Sequence, residues 1–135
     1  MDDVFMDTSF FKAIVDGGDD FHKEAINLLM KMKEKGARLV TTNYIIDELF
    51  TLVRKRNGLE KARALWDLLG ELGGQLKMVR ILVLDEKEAW SWFWKEWKNL
   101  SFTDCTSFAV MKRLRLTWVA TFDDHFAKAG FELVK

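Results

Sequence analysis

Residues 118–126 read WVATFDDHF. An apolar run stops abruptly on Asp123, and a short helical segment follows. That junction is a buried strand feeding a helix, and it decides the fold class because the chain repeats it. VFM (4–6) ends on Asp7 ahead of a helical turn spanning Phe10 to Val15. RLVT (38–41) leads into a helix that Asn43 can cap, carrying Ile45, Ile46, Leu49, Phe50 and Val53. MVRILVL (78–84) reads as the third strand, TWVATF (117–122) as the fourth and FELV (131–134) as the fifth.

Helical periodicity fills the gaps. After the DGGDD loop (16–20), Phe21, Ala25, Leu28, Leu29 and Met32 predict a helix over 21–35, with Gly36 suited to its C-terminal cap. Between Asn57-Gly58 and Gly73-Gly74, the residues Leu59, Ala62, Leu65, Trp66, Leu69 and Leu72 form one amphipathic stripe. Asp85 with Glu88 makes a capping pattern for a helix over 86–98, and another helix runs from Thr103 to Leu114. Strands separated by helices require right-handed crossovers, hence an α/β fold whose mostly parallel sheet is covered on both faces. Sites in such sheets lie beyond the carboxyl ends of the strands, where the strand order reverses.

The 135 residues, without repeat, linker or low-complexity segment, read as a single domain over 1–135. Apolar residues make up 49% and charged residues 31%, as in soluble globular proteins. No apolar stretch reaches the roughly 18 residues that span a membrane. The acidic start MDDVFMD is unlike a secretory signal. One cysteine, Cys105, excludes an intrachain disulfide, and these features together place the chain in the cytoplasm. Net charge is zero, so a nucleic-acid partner needs a local basic patch. Arg54-Lys55-Arg56, with Lys61 and Arg63, is one such patch, and Lys112, Arg113 and Arg115 form a second, although charge runs are often only solvated helix faces.

Four acids stand where the strands end or the helices begin: Asp7, Glu48, Asp104 and Asp123. Each alone has an ordinary explanation. Asp7 and Asp123 stand where caps belong, Ser101 and Asp104 make a capping pair, and Glu48 suits a solvated helix face. Together they suggest more, because the topology can bring all four to one edge. Clustered carboxylates raise one another's pKa unless a cation neutralises them. An oxygen-rich pocket without cysteine or paired histidines points to Mg²⁺ or Mn²⁺ and away from zinc.

VFMDTSFF, NYIIDELFTLV, SFTDCTSFAVM and ATFDDHFAKAGF, in this order and spacing, resemble the four motifs of the PIN-domain family, and its VapC-type toxin ribonucleases most of all. The resemblance spans residues 4 to 134. It implies a three-layer fold with a five-stranded sheet ordered 3-2-1-4-5. It also implies a Mg²⁺- or Mn²⁺-dependent endoribonuclease that leaves 5′-phosphate and 3′-hydroxyl ends. The family's acids fall on Asp7, Glu48, Asp104 and Asp123, as catalytic and metal-binding residues. Ser9 and Thr121 match supporting hydroxyls, and Asp47 and Asp124 are adjacent acids that could substitute in the assignment. Implied partners are RNA, an antitoxin and a second copy of the chain. A PIN nuclease in RNA processing without an antitoxin and a catalytically silent RNA- or protein-binding module remain alternatives. A phosphoacceptor domain fits poorly, for want of a lysine at a strand end.

Trp90, Phe93, Trp94 and Trp97 fall on one face of the expected 86–98 helix, with Trp92 off it. Such a face belongs to the core or, where four rings exceed what the core can bury, meets a partner. Cys105 is expected to point into the core. His125, between Asp124 and Phe126, reads as partly exposed and incidental.

Overall fold

In the computed structural model, which describes residues 2–135, the central strand is β1 (Asp3–Met6). Val4, Phe5 and Met6 are fully buried, which is what a strand covered on both faces demands of its sequence. Helices α1 (Thr8–Val15) and α2 (His22–Glu34) follow, then β2 (Arg38–Thr42) and the pair α3 (Asn43–Asn57) and α4 (Leu59–Leu72). A 3₁₀ turn at Gly73–Gln75 enters β3 (Leu76–Val79). The rest is α5 (Val83–Phe93), α6 (Phe102–Arg113), β4 (Trp118–Ala120), α7 (His125–Lys128) and β5 (Glu132–Leu133).

The sheet order is β3-β2-β1-β4-β5 with every neighbouring pair parallel, as expected. From β1 the chain crosses outward to β2 and β3, then returns to lay β4 on the other side. The strand order therefore reverses between β1 and β4. Phe10, Phe11 and Leu49 from the helices and Phe108 from α6 enclose the sheet. Gly58, at φ 89°, separates α3 from α4 in a conformation that a side chain would strain.

Several boundaries differ from the sequence reading. The third strand occupies 76–79, and the apolar run after it is loop and helix start, because Asn43 Oδ1 accepts the Ile81 amide at 2.8 Å and pins the chain away from the sheet. Thr42, not Asn43, caps α3 by accepting from the Ile45 amide at 3.1 Å. Asp85 does not begin a cap with Glu88. It lies inside the first turn of α5, accepts from the Leu82 amide at 2.8 Å and forms a two-pronged ion pair with Arg113.

Helix α5 also stops at Phe93, so the expected aromatic face is split. Trp92, expected off it, packs on Phe108 with ring centroids 5.2 Å apart, and Trp97 joins from the following loop. Trp90 and Trp94 stack on each other at 5.6 Å and stay 47% and 72% exposed. A run of tryptophans fits a helix or a loop equally well by composition; the early end of α5 decided which rings turned inward.

Candidate active site

Met6 pairs with Ala120 across β1 and β4, so Asp7 and Thr121 leave the sheet side by side. Asp7 occupies the N-cap position of α1, yet its carboxylate makes no capping hydrogen bond. It accepts instead from the Thr121 hydroxyl at 2.8 Å and the Ser9 hydroxyl at 3.0 Å, both on Oδ2. Each hydroxyl has one proton to give and gives it to Asp7. Their lone pairs in turn accept the Asp123 amide (to Thr121) and the Phe122 amide (to Ser9), each at 3.0 Å. Ser9 and Thr121 thus tie the end of β1 to the loop after β4, in the supporting positions the motif resemblance implied.

Asp104 caps a helix and also lies among the other acids. Its Oδ2 accepts the Ser101 amide at 3.1 Å while its own amide donates to the Ser101 hydroxyl at 3.0 Å, a complete capping box opening α6. The same carboxylate is buried facing Asp7, Asp123 and Glu48 closely enough to feel their charge. Asp123 Oδ1 accepts the His125 amide at 2.9 Å, and Glu48 accepts the Thr8 hydroxyl at 2.9 Å. All four expected acids therefore share the crevice at the β1–β4 switch. Asp47 and Asp124 are exposed beside it.

The electrostatics are those of a crowded anionic site. Burial, with the Asp123 charge added, pushes Asp7 up to about 6 despite the Thr121 and Ser9 hydroxyls. Burial and then the charges of Asp7, Asp123 and Glu48 push Asp104 to about 7, against the opposing Ser101 amide. Burial and then the neighbouring acids' charge disfavour the ionised forms of both carboxyls, and this crowded set of oxygen donors, with ligand atoms of Asp104 and Asp123 within 4.8 Å of each other, suits a divalent cation of the Mg²⁺ or Mn²⁺ kind.

The sequence reading missed His125. It is 5% exposed, its ring lies parallel to Trp97 at 6.2 Å, and its Nε2 is 2.7 Å from the Lys98 carbonyl. Nδ1 sits 2.8 Å from Asp123 Oδ1 and 3.6 Å from Asp104 Oδ2. Burial lowers the imidazole pKa, but the Lys98 carbonyl and the two aspartates outweigh it and raise the net value. A usable signal was the interval: two residues after a strand-end aspartate, a helix start keeps the side chain in the same crevice. Thr8, which anchors Glu48, was missed for the same kind of reason, since nothing in its neighbourhood showed a partner forty positions away.

Arg54, Lys55 and Arg56 are exposed in the last turn of α3, Lys55 on the face that carries Glu48 two turns earlier. Two of the three residues of the second basic group are engaged. Arg113 is committed to Asp85 at 2.9 Å, and Lys112 lies over the Trp92 ring. Cys105 is buried, as expected, and burial pushes its thiol up to about 12.

The PIN domain profile matches residues 4–132. The chain belongs to the PIN-domain family. VapC20 of Mycobacterium tuberculosis, a 23S rRNA-specific endonuclease known from two strains, is 32% identical over 133 residues, 98% of each chain. The crystal structure of M. tuberculosis VapC20, a sarcin–ricin loop cleaving toxin, superposes on this PIN domain with a TM-score of 0.80. It is 29% identical over 96% of both chains. No helix among the described residues is long and apolar enough to cross a membrane.

Proposed function

We propose that this PIN domain is a cytoplasmic, Mg²⁺- or Mn²⁺-dependent endoribonuclease and the toxin half of a toxin–antitoxin pair. The observation that carries the reading is Asp7. It stands where a cap belongs, but its carboxylate is taken by two hydroxyls instead, at the switch point of the sheet and close enough to Asp104 and Asp123 for their charges to act on one another. The full-length similarity to an RNA-cleaving toxin supports the same reading.

Asp7, Asp104, Asp123 and Glu48 would hold the cation. A divalent ion so held lowers the pKa of bound water and stabilises charge on the phosphate oxygens. The protein's part is positioning. Ser9 and Thr121 fix the Asp7 rotamer, Thr8 orients Glu48, and the capping box leaves Asp104 no freedom to swing out. Burial of Asp7 and Asp104 among these acids makes the crevice a strong trap for positive charge, and their ionised forms repel the RNA phosphate until that charge is present.

The test is cleavage of labelled RNA containing a 23S rRNA stem-loop in Mg²⁺, Mn²⁺ or EDTA. Cutting is expected with either metal and absent in EDTA. Metal-independent cutting would reject the mechanism. In the RNA-binding role we assign to α3, Arg54 and Arg56 each contact a phosphate. Arg54→Ala/Arg56→Ala should then flatten the slope of log K against log salt by about 1.4, at roughly 0.7 per single-strand contact. An unchanged slope in filter binding would remove this face from the interface.

Two apolar surfaces suit the proposed partners. Leu82, Val83, Leu84, Trp90 and Trp94 are exposed on and around α5, a surface we assign to a second copy. A groove of about 490 Å³ between α3 and α4, lined by Phe50, Leu59 and Trp66 and flanked by Arg54 and Arg63, suits an antitoxin segment carrying apolar and acidic side chains. A monomer by light scattering at micromolar concentration would reject the stable dimer.

A further inference from the structure

We infer that His125 is a nitrogen ligand of the bound cation, completing a site with Asp104 and Asp123 that selects Mn²⁺ over Mg²⁺. The inference rests on the metal-dependent reading above and adds a donor that the four acids do not supply.

Nδ1 of His125 is fully buried and aligned with no hydrogen-bond partner, although Asp123 Oδ1 is only 2.8 Å away. That oxygen is already held by the His125 amide, and Asp104 Oδ2 by the Ser101 amide. One nitrogen and two oxygens thus stand together, each oxygen held by a backbone amide. Nδ1, an Asp104 oxygen and an Asp123 oxygen lie within 4.8 Å of one another. Donors at adjacent corners of an octahedral shell of about 2.1 Å radius stand about 3.0 Å apart, so separations of 2.8 and 3.6 Å need little adjustment.

The other ring nitrogen supports the assignment. A ligating histidine characteristically donates its remaining N–H to a carbonyl or carboxylate, which fixes the tautomer and leaves the opposite lone pair for the metal. Nε2 of His125 stands 2.7 Å from the Lys98 carbonyl, and the parallel Trp97 ring fixes the imidazole plane. His22, the other histidine, has its Nδ1 2.7 Å from the Ala13 carbonyl and is not among the grouped ligand atoms. Imidazole favours transition metals, whereas Mg²⁺ prefers oxygen donors and retains its waters. One imidazole among carboxylates therefore shifts selectivity without excluding either ion.

The experiment uses the tag-free full chain, MnCl₂ and MgCl₂, and a buffer without nitrogen ligands. Pulsed electron paramagnetic resonance of the Mn²⁺-bound protein is expected to show modulation from a directly bonded ¹⁴N that changes on ¹⁵N-histidine labelling. His125→Gln keeps a donor able to reach the Lys98 carbonyl and removes Nδ1. By calorimetry it is expected to weaken Mn²⁺ binding at least about tenfold and Mg²⁺ binding by much less. Mn²⁺ bound to the wild type without nitrogen modulation would overturn the inference and leave the carboxylate site standing. Equal loss of both metals in a folded His125→Gln protein would overturn it in favour of a structural role. Failure of the wild type to bind either ion would overturn the inference and the metal-dependent reading together.

Discussion

Asp7→Asn protein is expected to fold normally and to cleave RNA at least about 10²–10³-fold more slowly than the wild type, the scale of losing a centre that stabilises transition-state charge. Asparagine is the informative replacement because its Oδ1 can still accept from Ser9 and Thr121, so the tie between the end of β1 and the loop after β4 survives. Alanine would leave the Thr121 and Ser9 hydroxyls without their carboxylate acceptor and confuse a folding defect with a chemical one. What asparagine removes is the negative charge. Circular dichroism and a melting curve establish the fold, and the cleavage rate then isolates that charge. A folded Asp7→Asn protein with wild-type metal-dependent activity would move the chemistry away from this crevice and sink the nuclease assignment.

In EDTA the protein is expected to melt roughly 5–10 °C higher at pH 5 than at pH 8, a consequence of two carboxyls whose folded pKa values lie above their unfolded ones. Asp7 at about 6 and Asp104 at about 7 each bind more protons in the folded chain than in the unfolded chain, where the reference is 3.8. Their stabilising protonation is complete below about pH 4 and is lost as pH rises through 6 and 7, so stability falls across this window. His125, raised above 6.5, acts with the same sign. Asp85 acts oppositely, since Arg113 and the Leu82 amide lower its pKa despite its burial, but its contribution is lost only as pH falls below the ordinary carboxylate range. Scanning calorimetry of Asp104→Asn should show a shallower slope and a higher melting temperature at pH 8. Saturating Mn²⁺ should raise the melting temperature most at pH 8, where the carboxylates are charged and uncompensated. A flat pH profile in EDTA would mean that the acids are less crowded than their geometry indicates.

The two effects have one origin. Function asks for charges gathered where folding would rather not have them, and the fold holds them by capping, hydroxyl donors and burial of the surrounding backbone. Asp104 shows the compromise most plainly. Its capping box stabilises the start of α6, while its burial beside Asp7 works against the folded state at neutral pH.

The strand-to-helix junctions and the parallel sheet were legible in the chain, because buried strands write continuous apolar runs and amphipathic helices write a 3.6-residue period; the strand order was implied only by the motif resemblance. The four acids were legible as positions for the same reason: Asp7 and Asp123 follow strands, Asp104 opens a helix and Glu48 lies in the helix after β2. The third strand was misplaced because MVRILVL satisfies a strand and an exposed loop leading into a helix equally well. Only the Asn43 side chain, contributed by another helix, chose between them. The tryptophan face failed similarly, since one early helix end reassigned every ring after it.

What the sequence determined by itself was local: element type, the places where elements stop, and which residues carry charge there. Tertiary structure alone decided the relations across the chain. Thr121 reaches Asp7 from 114 positions away, Thr8 meets Glu48 across 40, and His125 is buried against Trp97 with its Nε2 beside a carbonyl 27 positions earlier. Periodicity reports how a residue faces its own element, because that follows from backbone geometry. It carries no record of which distant side chain lies opposite, because that depends on how the elements pack together.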